Sequence, residues 1–152
     1  MADNLSIMTL KTIGSVRNEI KEASLLPRSD WSKIISEIVI DNRLAEALDG
    51  LEEFSHIIVL YWMHRLAKGE VPLKVHPMGR EELPLVGLFA TRTPNRPNPI
   101  GETTVKLLER HGNILKVAGL DALDGSPVID IKPYIPLDDL LDAKVPSWIR
   151  KH

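Results

Sequence analysis

Between Thr91 and Gly101 the chain places two arginines, two asparagines and three prolines, directly after a short apolar run from Val86 to Ala90. Proline fixes φ and donates nothing to a sheet ladder, so beyond Thr91 the stretch is neither a helix nor a central strand. Arg92, Asn95, Arg96 and Asn98 alternate with the rigid joints Pro94, Pro97 and Pro99. That arrangement would hold hydrogen-bonding groups in one conformation before a ligand arrives. A stiff crossover loop would use the same residues, and on this stretch alone both readings stand.

Other polar groups gather where strands are expected to end: Pro27-Arg28-Ser29, His64-Arg65 and Asp121 to Asp124. Arg92, Asp124, Asp130, Lys132 and Tyr134 adjoin the segments expected to be best ordered. Each alone reads best as an ordinary exposed arginine, surface turn or capping aspartate; together, beside ordered strands, they are harder to dismiss as such. Several chemistries lack their signatures. No Gly-x-Gly-x-x-Gly follows a strand and no P-loop is present. The five histidines show no ligand spacing and there is no cysteine, so no metal is expected. No nucleophile elbow supports serine hydrolase chemistry.

The elements that must position these groups read as strands. Met8 to Val16 is rich in Thr, Ile and Val, with Gly14 as a possible bulge. Arg17 to Lys33, with Pro27 and Trp31, reads as a long irregular excursion. Ile34 to Asp41 alternates Ile34, Ser36, Ile38 and Ile40 against Ile35, Glu37 and Val39. Asp41 or Asn42 caps a short helix through Leu48, with Leu44, Leu48 and Leu51 expected to pack inward.

Ser55 to Met63 is the most apolar run and reads as a buried central strand delivering His64-Arg65 at its mouth. Val86 to Thr91 forms another strand. Thr103 to Glu109 and Ile114 to Leu120 form a hairpin across Arg110-His111-Gly112-Asn113. After the Asp124-Gly125 turn comes Val128 to Lys132, with Ile129 and Ile131 on one face and Asp130 and Lys132 on the other. The expected fold is mainly β: a small antiparallel β-barrel of about six to seven strands, with one short helix and long loops. Regular βαβ alternation, the mark of a doubly wound fold, is missing. Residues 8–141 form the barrel domain and 142–152 a C-terminal tail.

The whole chain agrees with a single domain. At 152 residues and 17.0 kDa it can bury a sizeable core, and 43% hydrophobic with 26% charged residues is globular composition. A net charge of −2 excludes a generally basic nucleic-acid binder but not a local basic site. No apolar run approaches a membrane span and the first residues lack a basic region followed by an apolar core, so a cytoplasmic location is expected.

Three motifs carry a family resemblance: Gly87-Leu88-Phe89-Ala90-Thr91-Arg92, Arg96-Pro97-Asn98-Pro99-Ile100-Gly101, and Asp121 through Tyr134. With Ile13-Gly14, Pro27-Arg28, Gly50 to His56 and His64, they make the chain resemble the TsaA-like family from about Thr9 to Leu140. The resemblance implies an S-adenosyl-L-methionine-dependent enzyme on a small β-barrel, a homodimer with the cofactor near the subunit interface, and a tRNA substrate. The implied reaction methylates N6 of threonylcarbamoyladenosine beside the anticodon. The implied cofactor contacts fall on Pro27, Arg28, Ser29, His64, Arg65, Arg92, Glu102, Asp121, Ala122, Leu123 and Asp124. Ser29 stands where the family pattern has glutamine, and Glu102 where an apolar residue is common.

Physical chemistry fills in roles. Asp121 and Asp124 offer acceptors to the cofactor's ammonium or ribose, while Arg92 or Arg28 suits its carboxylate. Acylated N6 is a poor nucleophile with an acidified proton, so a placed acceptor helps; Asp124, Asp130 and Tyr134 are the catalytic candidates, with no choice among them. Arg96, Asn98 and Lys132 are expected to face substrate, through its phosphate or threonyl carboxylate. The rival readings are a non-catalytic barrel that binds an adenine ligand or RNA, and a methyltransferase with a different acceptor.

Overall fold

The computed structural model describes residues 5–22, 30–64 and 69–149. Eight strands appear in it: β1 (Gly14–Arg17), β2 (Ile35–Ile40), β3 (His56–Trp62), β4 (Lys74–Val75), β5 (Val86–Gly87), β6 (Ile100–His111), β7 (Ile114–Ala118) and β8 (Pro127–Pro133). Six of them close into a barrel in the order β1-β2-β7-β6-β3-β8, and β4-β5 form a separate two-stranded ribbon. Every pairing is antiparallel, and β1 against β8 completes the ring. The expected fold class is the one observed.

Alternation builds the core. Ile57, Val59 and Tyr61 of β3 point inward, and so do Ile38 and Ile40 of β2, Val105 of β6, and Leu115 and Val117 of β7. Each fully buried aliphatic side chain contributes about 1.5–3 kcal/mol relative to exposure. The outward residues Ile58, Leu60 and Trp62 are half-buried, so β3 is a barrel stave and not a strand covered on both faces.

Four expectations change on contact with the structure. The first strand begins at Gly14, not Met8, and Ile7 and Met8 are 97% and 82% exposed. Gly14 is not a bulge: it pairs with Ile40 on one side and Val128 on the other, and a Cβ there would lie 2.3 Å from the Val39 carbonyl oxygen. The close approach of two backbones is what requires glycine at this position.

Second, the helix over Asn42–Leu48 has 3₁₀ geometry, with the Asp41 side chain accepting from Arg43 N as its cap. The helix ends at Leu48, which is buried; Leu51 opens a separate 3₁₀ turn, Leu51–Glu53, after Gly50 at φ 90° and packs against the core from there, while Leu44 stays 40% exposed. Third, only Val86–Gly87 of the expected strand to Thr91 is extended; Leu88–Ala90 is a 3₁₀ turn that buries Leu88 and turns Phe89 outward. Fourth, the register of β3 on β8 shifts so that Leu60 pairs with Asp130 but Tyr61 with Val128. Ile129 is the extra residue of that bulge, and Val128 and Ile131 serve the core instead of Ile129 and Ile131. The hairpin at Gly112-Asn113 forms as expected, with Gly112 at φ 61°.

Candidate functional site

At the end of the barrel where β3 finishes and β6 begins, the segment Gly119 to Ser126 crosses the opening. Asn18, just beyond β1, ties it down: its Nδ2 donates to the Ala122 carbonyl (2.9 Å) and to Ser36 Oγ (3.0 Å). Its backbone N–H donates to Asp124 Oδ1 at 2.9 Å, and Asp124 N donates to the Ile20 carbonyl at 2.8 Å. Asp124 Oδ2 holds Lys21 Nζ at 2.8 Å. Asn18 is buried, so its side-chain bonds to Ala122 and Ser36 are shielded from water, while the Lys21–Asp124 pair is exposed.

Asp121 is anchored differently. The Tyr61 hydroxyl donates to Asp121 Oδ1 at 2.9 Å, and Thr103 Oγ1 bonds the same oxygen. Tyr61 is 3% exposed, and its ring lies flat against Gly101, where a Cβ would come within 2.4 Å of Cζ. Glycine on β6 therefore makes room for the ring that carries the hydroxyl to Asp121. Burial first, then the Asp121 carboxylate, raises the Tyr61 pKa above the ordinary tyrosine range, keeping it a neutral donor.

A cleft of about 380 Å³ opens beside this network, lined by Arg92, Arg96, Asn98, Glu102 and Asp121 with Tyr61 at its base. Two arginines and two carboxylates thus line one cleft. Arg96 Nη1 donates to the carbonyls of Thr91 (3.0 Å) and Thr93 (3.1 Å), and its guanidinium lies over the Phe89 ring at 5.9 Å. Arg96 therefore clamps its own loop, while Arg92 is exposed and makes no side-chain hydrogen bond among the described residues. His64 stands beside the same end, with Nε2 3.7 Å from where a Gly125 Cβ would sit.

Of the residues singled out from the sequence, Arg92, Arg96, Asn98, Glu102 and Asp121 come together in the cleft, and Ala122, Leu123 and Asp124 lie in the anchored segment beside it. Three others do not join them. Asp130 and Lys132 pair with each other at 3.1 Å on the outer wall, opposite Leu60 and Ile58. Tyr134 follows β8 and its N–H donates to the His56 carbonyl, about 17 Å along β3 from Tyr61 at roughly 3.3 Å per residue. Pro27, Arg28, Ser29 and Arg65 lie outside the described residues. Asn18 and Thr103 carry no local signal of a role, and the sequence offers Tyr61 only as a face for adenine, second to core packing. Tyr61 reads as core filler inside an apolar run, and nothing local marks Asn18 as a tie across 106 residues. Among the described residues no group of three or more metal-ligating side chains gathers, and no helix is long and apolar enough to cross a membrane.

A closed six-stranded antiparallel barrel with a charged cleft at one end sets this chain apart from the doubly wound nucleotide folds. Residues 15–140 match the family described as the tRNA-methyltransferase O N-terminal domain, and the chain belongs to this family. It is 47% identical over 136 residues to an S-adenosyl-L-methionine-binding protein of Archaeoglobus fulgidus, covering 89% of this chain and 95% of that one. A longer protein of the same organism, a probable S-adenosyl-L-methionine-binding protein, is 44% identical over 97% of this chain and 39% of its own length. The tRNA (adenine(37)-N6)-methyltransferase of Escherichia coli K12 is 35% identical over 95% of this chain and 65% of its length. A crystal structure of TrmO superposes with a TM-score of 0.75 at 32% identity, covering 92% of this chain and 64% of that one. The chain thus spans less than two thirds of several of its relatives.

Proposed function

We propose that the chain binds S-adenosyl-L-methionine in the cleft and methylates N6 of threonylcarbamoyladenosine beside the tRNA anticodon. The observation that carries this reading is that Arg92, Arg96, Glu102 and Asp121 line one small cleft, in a chain of this family. A zwitterionic amino-acid end needs a cation for its carboxylate and acceptors for its ammonium, and both are there. When bound, the cofactor supplies an electrophilic methyl group on a positively charged sulfur.

The chain's own residues would orient and deprotonate. Arg92, exposed at the cleft wall, pairs with a carboxylate; Glu102 accepts from an ammonium or ribose hydroxyl. Asp121 keeps Oδ2 open because Tyr61 and Thr103 both occupy Oδ1. We assign Oδ2 as acceptor of the N6 proton as the new N–C bond forms, in preference to Asp124, whose oxygens hold Asn18 N–H and Lys21. Positioning by a rigid loop supplies much of the acceleration, since in-line transfer tolerates little drift. The 47% identical relative named simply as an S-adenosyl-L-methionine-binding protein favours a second reading, a binding protein without transfer activity.

Calorimetric titration with S-adenosyl-L-methionine tests binding. Mass spectrometry of nucleosides from tRNA carrying or lacking the threonylcarbamoyl group, after incubation with cofactor, tests transfer. Binding without methylated product selects the second reading; no binding removes both. We also propose a homodimer, supported by the exposed apolar residues Leu5, Ile7, Met8 and Leu10. A sedimentation mass of one chain at micromolar concentration would exclude it.

A further inference from the structure

Asn18 lies buried at the barrel mouth, where the Gly119 to Ser126 segment crosses, and every hydrogen-bonding group of its side chain is used. Nδ2 donates to the Ala122 carbonyl at 2.9 Å and to Ser36 Oγ on β2 at 3.0 Å, while Oδ1 accepts from Ile20 N at 2.9 Å. A carbonyl can only accept and a backbone N–H can only donate, so these partners fix which way the amide faces. Burying an amide costs desolvation that its bonds do little more than offset; what it adds over an apolar side chain of like shape is direction. Here the direction is toward one short stretch of backbone. Leu120 and Ala122 are both buried, and between them Asp121 turns to the cleft.

We infer that Asn18 is a positioning residue for methyl transfer, acting through Ala122 on Asp121. The inference rests on the proposed transfer, with Asp121 Oδ2 as proton acceptor, and deepens it. Tyr61 and Thr103 hold Oδ1, and a carboxylate held at one oxygen swings about that point and carries the other oxygen with it. Tyr61 Oη also lies 3.1 Å from the Asp121 carbonyl, but its single proton serves one acceptor at a time. A second fixed point, on the backbone beside Asp121, stops the swing, and the Asn18 bond to the Ala122 carbonyl supplies it. Ser36 braces the same amide on β2, so the backbone at Asp121 is held relative to the barrel wall. Arg92 and Glu102, which take the donor's amino-acid end in the proposed reading, lie on other segments. Asn18 therefore governs where the N6 proton goes more than how tightly the donor is held, and kinetics separate the two.

The test compares the full chain as wild type, Asn18→Ala, Asn18→Asp and Ile40→Val. Asn18→Asp keeps the shape and the acceptor for Ile20 N but turns a carboxylate oxygen toward the Ala122 carbonyl; if that buried charge prevents folding, Asn18→Ala carries the comparison. Ile40→Val thins the core at the hairpin end, where Ile40 N donates to the Asn113 carbonyl, and controls for lost stability alone. Turnover is measured at saturating S-adenosyl-L-methionine on tRNA carrying threonylcarbamoyladenosine, and donor affinity by calorimetry. Loosening of the segment is read from hydrogen exchange at the Asp124 amide, which donates to the Ile20 carbonyl. The expected result in the Asn18 variants is turnover lowered about 10- to 100-fold, the loss that a displacement of about 1 Å causes, with donor affinity lowered less than about threefold. Exchange at Asp124 should quicken in the same variants, and Ile40→Val should keep turnover within about threefold of wild type. Undiminished turnover in the Asn18 variants, a fall in donor affinity as large as the fall in turnover, turnover lost with exchange unchanged, or an equal loss in Ile40→Val overturns the inference and leaves the proposed transfer standing. A wild type that binds the donor and methylates nothing removes the proposed transfer, and this inference with it.

Discussion

The Tyr61 hydroxyl is a core group with a task at the barrel mouth, and its chemistry makes that task measurable. It is buried, donates to Asp121, and has its pKa raised by burial and by that carboxylate. A raised folded-state pKa means the folded protein keeps the proton while the unfolded chain loses it. This stabilisation is fully present below the ordinary tyrosine value of about 10 and is lost as pH climbs through the raised one. Urea denaturation at successive pH values should show stability falling above about pH 10, with Tyr61→Phe flattening the fall. At neutral pH the same variant should lose about 0.5–1.5 kcal/mol, the worth of one hydrogen bond. An alkaline slope identical in wild type and variant would refute the assignment. Asp121, released from one of its two tethers, should at the same time serve less well as acceptor of the N6 proton, so methyl-transfer turnover should fall. The motif from Asp121 to Tyr134 pointed to this carboxylate, but nothing in the sequence pointed to its tether. A tyrosine between Leu60 and Trp62 is indistinguishable from packing until β6 is laid beside it.

Strand pairing decides what such a residue can do, because β6 opposes Tyr61 with Gly101 and leaves the ring somewhere to lie. A methyl group at Gly101 would overlap the ring, whereas one at Gly14 would overlap the Val39 carbonyl. A side chain can rotate away and a sheet backbone cannot. Gly101→Ala should therefore cost about 1–3 kcal/mol as the ring is displaced, and Gly14→Ala should cost more because the β1–β2 ladder must open. Urea midpoints compared at constant slope measure both, and the reverse ranking would contradict this account. The strands themselves were legible wherever one face is wet: Ile38 and Ile40 against Val39, or the hairpin turning at Gly112. Legibility failed where local preference lost to geometry. Val86 to Thr91 is apolar enough for a strand, yet among the described residues it pairs with the two-residue β4 alone, and Thr91 Oγ1 bonds back to the Leu88 carbonyl. The bulge at Ile129 has no sequence mark, since it follows from barrel closure.

For the molecule as a whole, charge sets how it can approach a polyanion. Nineteen basic and twenty-one acidic residues nearly balance. Many of the basic ones are already engaged: Arg17 with Glu37, Lys21 with Asp124, Arg43 with Asp41, Arg110 with Asp49 and Glu52, and Lys132 with Asp130. A cation held by a carboxylate releases few counterions from a phosphate, so the described surface offers tRNA few strong electrostatic contacts. Arg92, like Lys11, Lys33, Lys74, Lys106 and Lys144, lies outside these pairs, and it is the one of them that lines the cleft. If tRNA is the substrate, the logarithm of its affinity should fall shallowly with the logarithm of salt concentration, with a slope of about −1 to −3, corresponding to a few neutralised phosphates. Arg92→Ala should reduce the steepness by about one if Arg92 meets a phosphate. It should leave the slope alone, and weaken S-adenosyl-L-methionine binding instead, if Arg92 holds the cofactor's carboxylate as proposed. Filter binding of tRNA across a salt series, beside calorimetric titration with S-adenosyl-L-methionine, separates these outcomes. A slope of −6 or steeper would mean that the chain binds through a basic surface which its near-neutral composition and its ion pairs argue against.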